Sequence, residues 1–297
     1  MRRILILIMA LFAMSARCQE SSVVDHVTTE ADKQLACEIM DNLRQADSET
    51  PGGLTVPQMM ILAAKSMLGT PYVAGTLDED PESERLRIYL TKTDCIIFVE
   101  TCLNLARTVR DADGKAPDFE SFVSNVASTR YRKEPPYSYS DRVHYTTEWI
   151  RRQDSVLKDI TLDLGGEVND HPISFMSSHP KSYKQLADAD NIPRSALDLK
   201  KIQEVEEDLN KSPMTYIPKS KIAAASDKIQ SGDIICFVST VEGLDIAHVG
   251  MAYVEDGRVG FIHASQNDGK VVIDSRTIEE YVLPRRNLSG IKVVRPL

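Results

Sequence analysis

A change of periodicity along the chain constrains its fold more than any other feature. Up to about residue 130 the apolar residues recur mainly at helical spacing. The last quarter instead holds five short β-rich runs, Ile234 to Val238, Ala247 to Val254, Val259 to His263, Val271 to Asp274 and Ile291 to Val294. Turn signals at Glu242-Gly243, Asp256-Gly257 and Asp268-Gly269 separate several of them, as consecutive antiparallel strands require. Helices first and strands later predict an α+β fold, with helices packed on an antiparallel sheet, either a meander or a small barrel.

Within the helical part the spacing predicts helices from Thr29 to Ala46, Pro57 to Leu68, Cys95 to Arg110 and Phe119 to Arg130, with a strand over Leu86 to Leu90. From Ser155 to Ser212 the chain is mostly polar loop, followed by an acidic amphipathic helix near Ser195 to Asn210. The Glu204 to Asp208 charge run reads as a solvated face, and His171 and His179, each beside a proline, as surface or structural residues.

Residues 1–18 have the layout of a secretory signal peptide: a basic start at Arg2 and Arg3, an apolar run from Ile4 to Met14, and small residues after it. That run is too short to span a bilayer, so no integral membrane span is expected. Export to the periplasm is the expectation, with lipid anchoring through Cys18 as the alternative. Removing the segment takes away Arg2, Arg3 and Arg17 and moves the formal charge from −9 to −12. Such an acidic chain is poorly suited to nucleic acid or anionic membranes. Of the five cysteines, Cys37, Cys95, Cys102 and Cys236 remain, and mostly free thiols are expected.

Cys95 stands at the start of its predicted helix, where unpaired N–H groups and the positive end of the helix dipole favour a thiolate. A lone cysteine there is more often a small buried hydrophobe. The odds change with His248 and His263, which sit in two strands joined by the Asp256-Gly257 turn. Antiparallel neighbours can bring such rings side by side, giving a thiol, a base and a residue to orient that base. Asp94 precedes the cysteine as a helix-start residue that also shapes the site. A second concentration, Arg142, His144, Tyr145 and Trp149, mixes aromatic faces with cationic and imidazole groups suited to sugars and carboxylates, although an ordinary aromatic core weighs about equally.

Four motifs in order, Gly69-Thr70-Pro71-Tyr72-Val73, Asp94-Cys95, His248-Val249-Gly250 and His263-Ala264-Ser265, with Gly232-Asp233-Ile234-Ile235 opening a strand, resemble the NlpC-type papain-like cysteine peptidases. The resemblance covers about 57–110 and 228–297, with about 111–227 as an insertion in a single domain spanning 19–297. Two departures stand out. Ile96-Ile97 replaces the usual Ser-Gly, and Cys95 and His248 are 153 residues apart.

The chain as a whole resembles the N-acetylmuramoyl-L-alanine amidase-like branch. That resemblance implies hydrolysis of the bond between the lactyl group of a muramic sugar and L-alanine, with a preference for 1,6-anhydro-muropeptides. It further implies peptidoglycan fragments carrying N-acetylglucosamine and anhydro-N-acetylmuramic acid as partners; no cofactor, no metal and a monomer are also expected. Tyr72 becomes a catalytic wall residue, and Arg142, His144, Tyr145, Trp149 and Tyr216 become candidate sugar or peptide contacts. Three rivals remain open: a same-fold endopeptidase cutting between D-glutamate and the diamino acid, a zinc amidase, and a non-catalytic wall-binding module.

Overall fold

Each predicted helix forms, and most of their N-termini are set by side chains that replace missing backbone partners. The computed structural model describes residues 24–80 and 83–297, so the expected signal segment and Cys18 lie outside the described residues. A short strand β1 (His26–Val27) leads into α1 (Glu30–Glu49), whose N-cap Thr29 accepts from the Asp32 amide. Thr55 and Gln58 form a capping box at α2 (Val56–Ser66), with Pro57 in its first turn.

The strand expected over Leu86 to Leu90 shortens to β2 (Leu86–Arg87), parallel to β1. The reason is local: the amides of Leu90 and Thr91 both donate to the buried Asp32 carboxylate at 2.8 Å instead of to a strand. Helices α3 (Cys95–Asp111) and α4 (Phe119–Arg130) follow. They are tied together by the buried Glu100–Arg130 ion pair, in which Arg130 Nε lies 2.9 Å from Glu100 Oε2.

The remaining elements are α5 (Thr146–Arg152), β3 (Leu157–Asp159), β4 (Glu167–Asn169), α6 (Phe175–Ser178), α7 (Pro193–Asn210), β5 (Met214–Pro218), α8 (Ile222–Ser226), β6 (Ile234–Ser239), β7 (Ile246–Glu255), β8 (Arg258–Ser265), β9 (Lys270–Ile273), α9 (Ile278–Val282) and β10 (Leu288–Pro296). The sheet runs β4-β5-β10-β6-β7-β8-β9, with β3 also on β10. Among the described residues β4 and β9 pair at their outer edges with no other strand of this sheet, so it is an open antiparallel sheet.

Strands β3, β4 and β5 were not legible as β, since each is short and none carries a run of alternating apolar residues. They bring the 111–227 stretch into the same sheet as the C-terminal strands. Gly290 makes the β5–β10 approach possible: a Cβ there would lie 2.0 Å from the Ile217 carbonyl oxygen.

Every residue of β6 is buried, which explains its unbroken apolar run. Ile234, Cys236 and Val238 belong to the core formed with α1 to α4, while Ile235 and Phe237 belong to a second core with Phe261, Tyr281 and Ile291. Tyr139, Tyr145, Met176, Ile202 and Leu209 make a third cluster around α6 and α7. Among the described residues no helix is long and apolar enough to cross a membrane.

Candidate active site

Cys95 is the first residue of α3, and the Asp94 side chain caps that helix by accepting from the Ile97 amide at 2.9 Å. The chain around Tyr72 is pinned beside it, because Val73 donates to the Thr93 carbonyl at 2.8 Å and Tyr72 donates to that of Gly269 at 2.9 Å. Cys95 is partly exposed, and the backbone N–H groups of Val249, Ile96 and Cys95 itself lie near enough to its sulfur to favour the thiolate. The residue preceding Val249 is His248.

The two imidazoles meet directly, with His248 Nε2 2.7 Å from His263 Nδ1 and the rings edge to face. Extending the β7–β8 register places His263 opposite Gly250, not His248. It can therefore lean along the strand only because Gly250 leaves the space free. A Cβ at Gly250 would stand 3.1 Å from the His263 Cβ and 3.0 Å from the Ile262 oxygen. Phe237 stacks on His248 at 5.6 Å between centroids and fixes the ring from the neighbouring strand.

Beyond His263 stands a buried acid that the sequence reading did not single out. Asp274 Oδ2 lies 3.3 Å from His263 Nε2, poorly aligned for a hydrogen bond but close enough for strong attraction. Arg276 clamps this carboxylate with its backbone N–H at 2.9 Å, Nε at 2.8 Å and Nη2 at 2.7 Å. Despite burial, these bonds hold the Asp274 carboxyl below the usual carboxylate range. A negative charge at that end asks for a proton on His263 Nε2, hence an accepting His263 Nδ1 and a donating His248 Nε2. His248 Nδ1 is then left as a free lone pair.

Electrostatics qualify the expected thiolate. Burial and then the Asp94 charge push the Cys95 thiol up to about 12, against the three amides that favour the anion. Burial, followed by the neighbouring His263, pushes His248 down to about 3. His263 falls to about 4 by burial, with Asp274 acting in the opposite sense. At rest the pair is therefore thiol and neutral imidazole. Tyr72 is raised to about 12 by burial and by the adjacent Cys95 and Asp94, so its hydroxyl remains a donor.

The other sequence-derived residues fall elsewhere. Arg142 is buried and ion-paired to Asp78 and, at 3.7 Å, to Glu84. His144 Nε2 is 2.8 Å from the Tyr139 carbonyl oxygen, and burial keeps its ring neutral. Tyr145 is buried between Glu206, to which it donates at 2.5 Å, and the Met176 amide. Trp149 is 3% exposed, within the first core.

These four brace the fold around α5, whose Thr147 amide donates to the buried Asp245 at 2.8 Å, just before β7. Tyr216 lies on β5 next to Ile217, which lines up through Ile291 and Phe237 with His248. That is three strand spacings, about 14 Å, from the imidazole.

Asp274, Tyr281, Arg276 and Arg285 escaped the sequence reading. Asp274 ends a recognised β-run in hairpin reach of His263, which was the one signal available. Among the described residues no group of three or more His, Cys, Asp or Glu side chains is arranged to hold a metal ion.

The fold and site define an α+β protein in which the helix that Cys95 opens packs on the two strands that carry a linked pair of imidazoles. The chain belongs to the AmiA-like, N-acetylmuramoyl-L-alanine amidase-like family, whose model matches residues 62–291. An N-acetylmuramoyl-L-alanine amidase from Bacteroides uniformis is 32% identical, superposes with a TM-score of 0.71, and is matched over 82% of this chain and 99% of its own. A structure described as a putative xylanase from Bacteroides fragilis is 31% identical, with a TM-score of 0.68 over 78% and 98%. A protein from Legionella pneumophila, 22% identical with a TM-score of 0.66 over 91% and 97%, shares the fold. No curated protein matches the chain.

Proposed function

We propose that this protein hydrolyses the amide between the lactyl group of N-acetylmuramic acid and L-alanine, acting on 1,6-anhydro-muropeptides outside the cytoplasm through Cys95, His248 and His263. In this reading the core is of the papain-like, NlpC type. The observation that carries it is the 2.7 Å contact between His248 and His263 on two strands that pack against the helix Cys95 opens.

The Cys95 proton passes to His248 Nδ1 as sulfur bonds to the lactyl carbonyl carbon. The carbonyl oxygen takes the electron pair and is held by the Cys95 backbone N–H and the Tyr72 hydroxyl, each worth about 3 kcal/mol in the transition state. The imidazolium returns its proton to the amide nitrogen, the C–N bond breaks, and the stem peptide leaves with a free L-alanine amine. His248 then deprotonates water, which attacks the muramoyl thioester and regenerates the thiol.

Mass analysis of products from one defined anhydro-muropeptide tests this, comparing wild type with Cys95→Ala and Cys95→Ser. Free L-alanyl peptide from wild type and none from folded variants is the expected result. Turnover by either variant at the wild-type rate rejects the nucleophile. Cleavage after D-glutamate instead would reassign the enzyme as an endopeptidase.

A further inference from the structure

Arg285 is a guanidinium that the fold positions and the chemistry above leaves unused. It lines a cavity of about 200 Å³ together with His248, His263, Tyr281, Gln266 and Asn267. Its side chain is half-buried and stacks on the Tyr281 ring at 3.5 Å, and its Nη1 donates to the Tyr281 carbonyl at 2.5 Å. Its own carbonyl accepts from Lys219. Among the described residues no carboxylate lies within ion-pair distance of it. Asp274 is clamped by Arg276, and Asp268 accepts from Ser265 Oγ at 2.6 Å. A stacked, preorganised guanidinium without an acidic partner, in a cavity flanked by exposed amide side chains, is built to take an anion with two parallel hydrogen bonds.

The proposed substrate offers few anions near the scissile bond. The lactyl carboxyl is consumed in the amide, and the anhydro sugar carries no charge. The nearest carboxylate is the free α-carboxylate of D-glutamate, the residue after L-alanine and one to two residue lengths from the reacting carbonyl, roughly 4–7 Å. We infer that Arg285 binds this carboxylate and so seats the stem peptide, not the sugar, in the cavity beside His248. The inference rests on the amidase reading and adds the orientation of the substrate to it.

Two muramoyl peptides that differ at one group, the D-glutamyl α-carboxyl left free or converted to carboxamide, test the assignment. Wild type is expected to favour the free acid about 10- to 100-fold in KM. Arg285→Gln should remove that preference by weakening the acid alone, Arg285→Lys should restore part of it, and Arg286→Gln should leave it unchanged. Absence of preference in wild type, or an equal loss on both substrates in Arg285→Gln, overturns the subsite.

Binding of the two compounds to the Cys95→Ala protein reads the same preference without turnover. A retained binding preference, with wild type failing to cleave the muramoyl–alanine bond, would therefore reject the amidase reading while leaving the carboxylate subsite standing.

Discussion

Replacing Asp274 with Asn removes one charge from the far end of the imidazole pair and leaves the shape nearly unchanged. The three donors of Arg276 demand an acceptor, so the Asn oxygen turns toward the guanidinium and its NH2 toward His263 Nε2. His263 then carries its proton on Nδ1 and donates to His248 Nε2 across the 2.7 Å contact, and His248 must hold its own proton on Nδ1, the nitrogen that serves as base in the proposed mechanism. The base has lost its lone pair. In a Ser-His-Asp triad the equivalent change costs about 10⁴-fold in kcat through the wrong tautomer. With one further ring in the chain, a loss of about 10² to 10⁴ is expected.

Stability should fall little, because the Arg276 side chain is 42% exposed and keeps water when its partner weakens. A loss of about 1–2 kcal/mol corresponds to roughly 3–6 °C in Tm. The assay is kcat on a defined muropeptide, with the imidazole nitrogen shifts of both histidines and a thermal melt on the same samples. A folded Asp274→Asn protein with kcat within threefold of wild type, or with unchanged imidazole shifts, refutes the tautomer argument.

Gly250→Ala tests the same contact from below. Its added methyl meets the His263 Cβ at 3.1 Å and the Ile262 oxygen at 3.0 Å, so stability should drop by about 1–3 kcal/mol and kcat by at least tenfold; a variant with unchanged kcat would show that His263 need not lean toward His248. The depressed histidines predict a pH dependence of stability. His248 and His263 stay neutral in the fold down to about 3 and 4, whereas the unfolded rings protonate near 6.5, so their contribution is complete above that value and is lost as pH falls from 6.5 toward 4. Since His248 is partly exposed, about 1 kcal/mol per pH unit for each ring is expected, read by urea unfolding at pH 7 and pH 5. His248→Gln should flatten the slope, and an unchanged slope would count against a buried neutral ring.

Much of this site was legible because the chemistry sits at element boundaries that sequence marks well. Asp94-Cys95 lies between a helix-capping acid and an apolar helix, and His248 and His263 flank an Asp-Gly turn whose strands could pair only as neighbours. Asp274 was harder to see. Its role depends on β9 folding back on β8, with Val272 opposite His263, and on Arg276 reaching back two residues. Arg142, Tyr145 and Trp149 looked like ligand residues by composition, yet composition does not distinguish a polar wall from buried partners. Asp78, Glu84 and Glu206, distant in sequence, decide that. Strands β3 to β5 were hidden for a related reason: their β character comes from pairing onto β10, not from their own residues.

The helix end and the burial act on Cys95 in opposite directions, and their balance bears on how the site would work. Amides of Cys95, Ile96 and Val249 favour the thiolate, but the low-dielectric surroundings and the capping carboxylate of Asp94 disfavour it more, leaving a thiol at rest. A resting thiol is slow to oxidise and slow to alkylate, since both reactions require the anion. In the proposed mechanism the series Arg276, Asp274 and His263 keeps His248 Nδ1 unprotonated, so charge need separate only when a carbonyl is present to accept the new bond. Under that proposal proton transfer and attack are coupled, and the negative charge develops on an oxygen held by the Cys95 amide and the Tyr72 hydroxyl. Iodoacetamide at pH 7 should accordingly inactivate the protein no faster than it alkylates a free cysteine; inactivation ten times faster would show that the ion pair is already formed before substrate binds.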